Sequence, residues 1–418
     1  MSTAAKPSLL YRALFTLLSP IVAWHSIAQA RQTNNERMAR QKLGKDFPQR
    51  DDRPVWIHMA SVGEVNAAYP LVLELRQRHP KLPIVVSTFT PTGAETAMAK
   101  FGTEIEHIFL PLDFNKAVNT FFQQINPRCA IVMETEIWPR LFYQCKLNDT
   151  PLLIANGRLS EKTINKPAWV RDIYRQTLQN IDQVLARSQT DADRFIKLGT
   201  APNKVQVINN IKFASTSNDN ESVKPIQLPR PYVLAASTHD DEELQISRAW
   251  LTSSLSQTHL LVIAPRHPKR KQNITQQLQP LTNKLAIRSD NDEILEDTQV
   301  YLADTFGELQ NFIAGAELVS MGGALIRHGG QNVIEVARLG KVALFGPHMG
   351  NFADERDLLL EHKAALEVSN ADDLIRKMVE LLAQPNLVKT MGENARQAIK
   401  SRQDVAQHYV DAIEPYLS

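Results

Sequence analysis

Short β-rich apolar runs recur along this chain with helical patterns between them, and that alternation admits few architectures. The runs are residues 55–60, 84–88, 130–133, 152–155 and 184–186 in the first half, and 232–236, 259–264, 300–303, 318–321 and 342–345 in the second. Helical patterns such as 65–78 and 138–146 separate the runs, and strands alternating with helices argue for parallel sheets. The expected fold class is therefore α/β with parallel sheets. At 418 residues the chain is too long for one ordinary core. The polar, aperiodic, proline-bearing stretch 215–229 (STSNDNESVKPIQLP) is the best linker. Two doubly wound, Rossmann-like domains are expected, 31–218 and 219–400, facing a cleft between their sheet edges. A last helix within 401–418 is placed as returning to the first domain.

The N-terminus departs from this pattern. Residues 13–27 (ALFTLLSPIVAWHSI) are mostly apolar, preceded by Lys6 and Arg12 and followed by Arg31, Arg37, Arg40, Lys42 and Lys45. Fifteen residues fall short of the roughly 20 that span a bilayer, and Pro20 is expected to kink the helix. Residues 1–30 are accordingly read as an interfacial membrane anchor, with the flanking cations on anionic head groups. A secretory signal cleaved after Ala28-Gln29-Ala30 is the rival, disfavoured by the cysteine-poor remainder. Cys129 and Cys145 have neither metal-ligand nor redox spacing. With 47 basic and 45 acidic residues interspersed, the charge makes no case for nucleic acid.

Candidate chemistry gathers where the runs end. Seven of the sixteen glycines lie between Gly322 and Gly350. Gly322-Gly323 follow one strand, Gly329-Gly330-Gln331-Asn332 open the helical pattern 333–339, and Gly346-Pro347-His348 follow the next strand. Backbone amides in such a loop and helix start are expected to face an anion. Polar residues crowd the same stretch, with Arg327, His328, Gln331, Asn332 and Glu335 inside nine positions, more than a structural turn requires. Glu64, in Ser61-Val62-Gly63-Glu64, sits in a helix's first turn beyond run 55–60. A capping carboxylate is the plain reading there, yet His58, Ser61 and Gly63 make the surroundings polar, as a general base requires.

Glu134 and Glu136 leave another buried strand, and one of them suffices to cap the following helix. Asn156-Gly157-Arg158 brings a cation to the same edge. Lys212 stands between apolar neighbours, where a snorkelling surface lysine is the alternative. Ser237-Thr238-His239 precedes the acidic helix start 240–243. Arg266, between Pro265 and Pro268, is preorganised for phosphate or carboxylate. Asp304-Thr305-Phe306-Gly307-Glu308 ends a third strand. Phosphate-loop, dinucleotide and metal-spaced histidine motifs do not occur, so no metal and no cofactor is expected.

In order along the chain stand HMASVGE, METEIWP, NGRLS, NIKF, STH, PRHP, DTFGE, HGGQNVIE and FGPHMGNF. Together they resemble the Kdo transferases of lipopolysaccharide assembly, inverting glycosyltransferases of the GT-B fold, over nearly the whole chain. The resemblance implies transfer of Kdo, an acidic eight-carbon ketosugar, from a CMP-Kdo donor to the acylated glucosamine disaccharide that precedes lipid A. It implies work at the membrane surface, on the cytoplasmic face of the inner membrane. It assigns Glu64 as general base, and Glu134 and Lys212 to stabilising the transition state. CMP falls to Pro265 and Arg266, to Phe306, Gly307 and Glu308, and to Asn332, Val333, Ile334 and Glu335. Ala236, where a glycine is common, and Arg327, where a smaller or apolar residue is frequent, depart from the family pattern. A nucleotide-sugar epimerase of the same architecture, or a silent membrane-bound nucleotide-sugar binder, are the competing readings. Release of CMP only with lipid acceptor present separates transfer from both.

Overall fold

A computed structural model describes residues 4–214 and 223–417. The linker stretch therefore lies outside the described residues as far as 222. The chain forms two compact units, one running to Ala214 and resuming at Asp404, the other spanning the residues between.

The first unit holds a seven-stranded sheet: β1 (Val55–His58), β2 (Ile84–Thr88), β3 (Glu106–Phe109), β4 (Cys129–Met133), β5 (Leu152–Gly157), β6 (Gln183–Ala186) and β7 (Val205–Val207). All pairings are parallel, in the order β3-β2-β1-β4-β5-β6-β7. The strands β1, β2, β4 and β5 are buried along their whole length, which is why they read as predominantly apolar runs. Trp56, Phe121, Phe142 and Phe195 fill the core on one face of this sheet. The C-terminal helix Val405–Ile413 packs onto the same unit, where the fully buried Tyr409 donates its hydroxyl to Asn209 O at 2.9 Å.

The second unit repeats the plan with β8 (Tyr232–Thr238), β9 (Leu260–Pro265), β10 (Leu285–Ile287), β11 (Val300–Leu302), β12 (Leu318–Met321), β13 (Ala343–Phe345) and β14 (Ala365–Glu367). They too are parallel, in the order β10-β11-β9-β8-β12-β13-β14. Each sheet reverses its winding once, between β1 and β4 in the first and between β8 and β12 in the second. At such a reversal the helices leave the two strands toward opposite faces, opening a crevice at the carboxyl ends where ligands of open α/β sheets bind.

The N-terminal segment corrects its expected form. A single helix, Leu9–Gln32, runs 24 residues, about 36 Å at the usual rise, and is long and apolar enough to cross a membrane. It continues through Pro20. The carbonyl orphaned by the missing proline N–H is that of Thr16, and Ser19 Oγ donates to it at 2.7 Å. The length argument against a full span therefore falls. Among the cations assigned to head groups, Lys42 is fully buried with its ammonium 4.1 Å from the centre of the Phe89 ring, and burial holds its pKa down to about 8. That residue belongs to the interior.

Candidate functional site

At the reversal point of the first sheet the chain places two carboxylates. Glu64 lies in the first turn of helix Val62–Arg78, beyond β1. Its Oε2 accepts the Ala60 N–H at 2.6 Å and its Oε1 lies 3.4 Å from Ser61 Oγ, so the carboxylate closes the helix start. Ser61, the residue in the cap position, makes no side-chain capping bond itself. Burial nevertheless pushes the Glu64 pKa up to about 8, against the pull of the Ala60 amide, and the negative charges of Glu134 and Glu136 add to the rise. A carboxylate that merely caps a solvated helix end has no such environment.

Glu134 follows β4 directly and adopts φ +56°, a left-handed conformation rarely taken by a residue with a side chain. The turn is fixed by its own N–H on Ala155 O at 2.9 Å. Its carboxylate lies 3.9 Å from Lys212 Nζ and 3.9 Å from Arg158 Nη1. Lys212 is thus more than a snorkelling surface residue. The short helical turn Ile211–Phe213 that carries it hangs on Asn156, whose Oδ1 accepts the Ile211 N–H at 3.2 Å. Asn156 sits at an irregularity in the β5–β6 pairing, with φ +54° and a nearly fully buried side chain. Three sequence segments, 134–136, 156–158 and 210–213, therefore converge on one edge. His58 does not join them. It is fully buried within β1, 2.9 Å from Ser87 Oγ, and burial lowers its pKa to about 3, so it stays neutral.

In the second unit, Pro265, Arg266, Phe306, Gly307 and Glu308 line one cavity of about 150 Å³ beyond β8, β9 and β11. Phe306 is 75% exposed, an aromatic face open to a ligand. Glu308 is gripped by Arg288 through two bonds of 2.6 and 2.7 Å, and that guanidinium holds its pKa down to about 2. Arg288 is the residue that sequence reasoning missed here. It begins a polar stretch with no motif to mark it. Asn332 and Glu335 bond to one another, Nδ2 to Oε1 at 3.0 Å, and do not line that cavity. The side chains of Val333 and Ile334 are buried in the core, so only their backbone is offered to a ligand.

The glycine-rich loop corrects the expectation most sharply. Its amides do bind an anion, and the anion is the protein's own. Glu242, fully buried at the start of helix Glu242–Leu251, accepts Gly323 N–H at 2.7 Å and His239 N–H at 3.0 Å on Oε2, and Ala324 and Leu325 N–H, each at 3.1 Å, on Oε1. Burial raises the pKa of this carboxyl against the pull of the four amides. The helix expected over 333–339 is a single turn and a half, Ile334–Arg338, and its Ile334 amide is taken by Asn332 Oδ1 at 3.2 Å. Gly322 is required because a Cβ there would meet Ser237 O at 2.4 Å, which locks the loops after β8 and β12 together. What the edge presents outward is a group of imidazoles. His239 stacks on His328 with ring centres 3.8 Å apart and approaches His267 at 6.1 Å. Burial, reinforced by its cationic neighbours, lowers the His239 pKa to about 4.

Comparison with known proteins adds the following. The family model described as 3-Deoxy-D-manno-octulosonic-acid transferase (kdotransferase) matches residues 32–215. A 3-deoxy-D-manno-octulosonic acid transferase of Haemophilus influenzae is 34% identical over 373 residues, covering 87% of each chain. Among solved structures, a glycosyltransferase of Rickettsia africae superposes with a TM-score of 0.65 at 12% identity, over 87% of this chain and 99% of that one. A UDP-GlcNAc 2-epimerase of Neisseria meningitidis does so with a TM-score of 0.60 at 13% identity, over 87% and 100%. Likeness at that identity establishes the two-domain GT-B-like fold and nothing finer.

Proposed function

The chain belongs to the 3-deoxy-D-manno-octulosonic acid transferase family, and from that premise we propose that it transfers Kdo from CMP-Kdo to the acylated glucosamine disaccharide precursor of lipid A. Inversion at the anomeric carbon, and action at the cytoplasmic face of the inner membrane, belong to the same reading. The observation that carries it is the pairing at the β1/β4 reversal. One carboxylate there has its pKa raised to about 8, and a second stands between two cations.

A sugar hydroxyl is a poor nucleophile, so a base within hydrogen-bond reach must take its proton as attack develops. Glu64 fills that role. As the bond to CMP lengthens, the anomeric carbon becomes oxocarbenium-like and Glu134 stabilises its positive charge, with Lys212 and Arg158 each 3.9 Å from its carboxylate. Direct displacement by the acceptor, without a covalent sugar intermediate, inverts the centre. The departing CMP carries negative charge that Arg266 meets, with the exposed Phe306 ring against the nucleotide. Gly307, Glu308, Asn332 and Glu335 complete the donor site, Val333 contributes its backbone, and Ile334, whose amide is held by Asn332, fixes the position of that residue.

The outcome expected of the purified full chain is release of CMP from CMP-Kdo only when the acylated disaccharide is supplied. Release without acceptor would refute transfer. Arg266→Ala should raise KM for CMP-Kdo about tenfold to a hundredfold, the value of a charge-assisted hydrogen bond to phosphate, with little change in kcat.

The raised pKa fixes the direction of the pH profile. Glu64 is neutral below about 8 and ionised above it, and a general base must be ionised. The rate constant kcat/KM is therefore expected to rise with pH, inflect near 8 and level off above it. In Glu136→Gln, one of the negative neighbours that raise the Glu64 pKa is gone, so the inflection should move to lower pH. An inflection that stays in place would show that Glu64 does not set it.

A further inference from the structure

Lys6, Arg12 and Arg140 converge on a cavity of about 230 Å³ at the beginning of the N-terminal helix, and Pro7, Asn115 and Tyr143 complete its walls. Those walls hold three cations and no carboxylate. The acid nearest in sequence, Asp113, is committed elsewhere. It accepts the Tyr11 hydroxyl at 2.6 Å and the backbone amides of Arg140 and Leu141 at 2.9 Å. Through that bond, and through the Phe15 ring packed 5.5 Å from Phe114 and beneath the Arg140 guanidinium, the first turns of the helix are fixed against the carboxyl edge of the sheet. Beyond the cavity the helix turns bare apolar side chains outward, with Leu9 79%, Leu17 75%, Ile21 64% and Trp24 70% exposed.

A cationic hollow held in register with an uncovered apolar helix suits one kind of molecule, an anionic head carrying hydrocarbon tails. We propose that the cavity binds the phosphate of a net-anionic bilayer phospholipid whose acyl chains lie along the exposed face of the N-terminal helix. The two arginines supply planar donors for phosphate oxygens and Lys6 a point charge. Apolar burial of the helix and phosphate capture at its root then act on the same lipid layer, two signals of the kind that make peripheral anchoring firm. The site also fixes how the sheet edge bearing Glu64 and Glu134 meets the membrane surface, because Asn115 and Arg140 begin helices that leave that same edge. A phosphorylated acyl disaccharide would offer the same phosphate chemistry, so the test must separate the two sources.

The full chain is to be titrated with phosphatidylcholine vesicles, with the same vesicles containing phosphatidylglycerol, and with vesicles containing the phosphorylated acyl disaccharide instead. Binding needs no turnover, so its result stands apart from that of the transfer assay. The Lys6→Gln/Arg12→Gln/Arg140→Gln triple should bind phosphatidylglycerol vesicles about a hundredfold more weakly, at about fivefold per cation, and phosphatidylcholine vesicles unchanged. Lys6→Gln/Arg12→Gln alters only exposed residues and should lose about twentyfold, which guards against misfolding of the triple. A control at the exposed cations Lys81, Lys162 and Arg171 should stay within about threefold of the parent. Equal losses in the site and control triples would reduce the effect to diffuse charge and overturn the proposal. So would a loss confined to vesicles containing the disaccharide.

Discussion

Glu64→Gln will bind CMP-Kdo as the parent does and keep its fold, while kcat for transfer falls about 10²- to 10⁴-fold, the usual worth of a positioned base. The substitution is close to isosteric. A carboxamide oxygen can still accept the Ala60 N–H that Glu64 Oε2 holds at 2.6 Å, so the helix start survives. What the amide lacks is any capacity to take a proton near neutral pH. The cavity proposed for the donor is lined by residues 265–266 and 306–308 of the other unit, and donor binding is accordingly expected to be unaffected. A variant with parental turnover would leave Glu64 as a helix-closing carboxylate and nothing more. A variant that loses donor binding and melts early would also contradict the assignment, because it would make the residue structural.

A comparably large effect is expected at a contact made wholly within the protein. In Glu242→Gln the loop Gly323–Leu325 loses its internal anion. Each carboxylate oxygen now holds two N–H groups. Whichever way the carboxamide is turned, its NH₂ faces a pair of donors, leaving two buried amides unsatisfied. At roughly 1–3 kcal/mol for each orphaned group the local cost is about 3 kcal/mol or more. Hydrogen exchange at Gly323, Ala324 and Leu325 should therefore speed up by roughly a hundredfold or more, with the strands of the first unit unchanged. Unaltered protection would mean that the four bonds do not hold the loop. A free-energy difference is best read from local exchange here, since a chain of two units need not unfold in one step.

The pattern of what the sequence reveals follows burial. The runs that announce strands all belong to the interiors of the two sheets. The four strands that carry no such signal, β3, β7, β10 and β14, are the sheet edges. An edge strand has one neighbour and a partly wetted face, so it is short and tolerates Glu106, Gln206 and Glu367 where an interior strand would not. The end of the N-terminal helix was hidden for a different reason. Pro20 looks disruptive one residue at a time, and its cost is removed by Ser19, whose role is visible only once the Thr16 carbonyl is placed.

The candidate site divides along the same line. Glu64 and Glu134 stand out because a carboxylate leaving a buried strand is unusual in itself, and the motifs around them carry the family resemblance. The grouping of Pro265 and Arg266 with 306–308 follows from strand ends that share an edge. Glu242 could not be read, because its partners lie 81 to 83 residues away in sequence. A glycine-rich loop looks the same from sequence whether its anion is a substrate phosphate or a side chain of the same protein. Asn156, which holds the amide of Ile211 beside Lys212, and Arg288, which grips Glu308 through two bonds, are of this kind too, because those contacts exist only once the chain has folded.

The most direct test of the account is the mass of the lipid product after purified full-length protein is incubated with CMP-Kdo and the acylated glucosamine disaccharide. The account predicts a product heavier than the disaccharide by one or more Kdo residues, formed by the parent and not by Glu64→Gln. A disaccharide recovered at its original mass while the donor is consumed would contradict it.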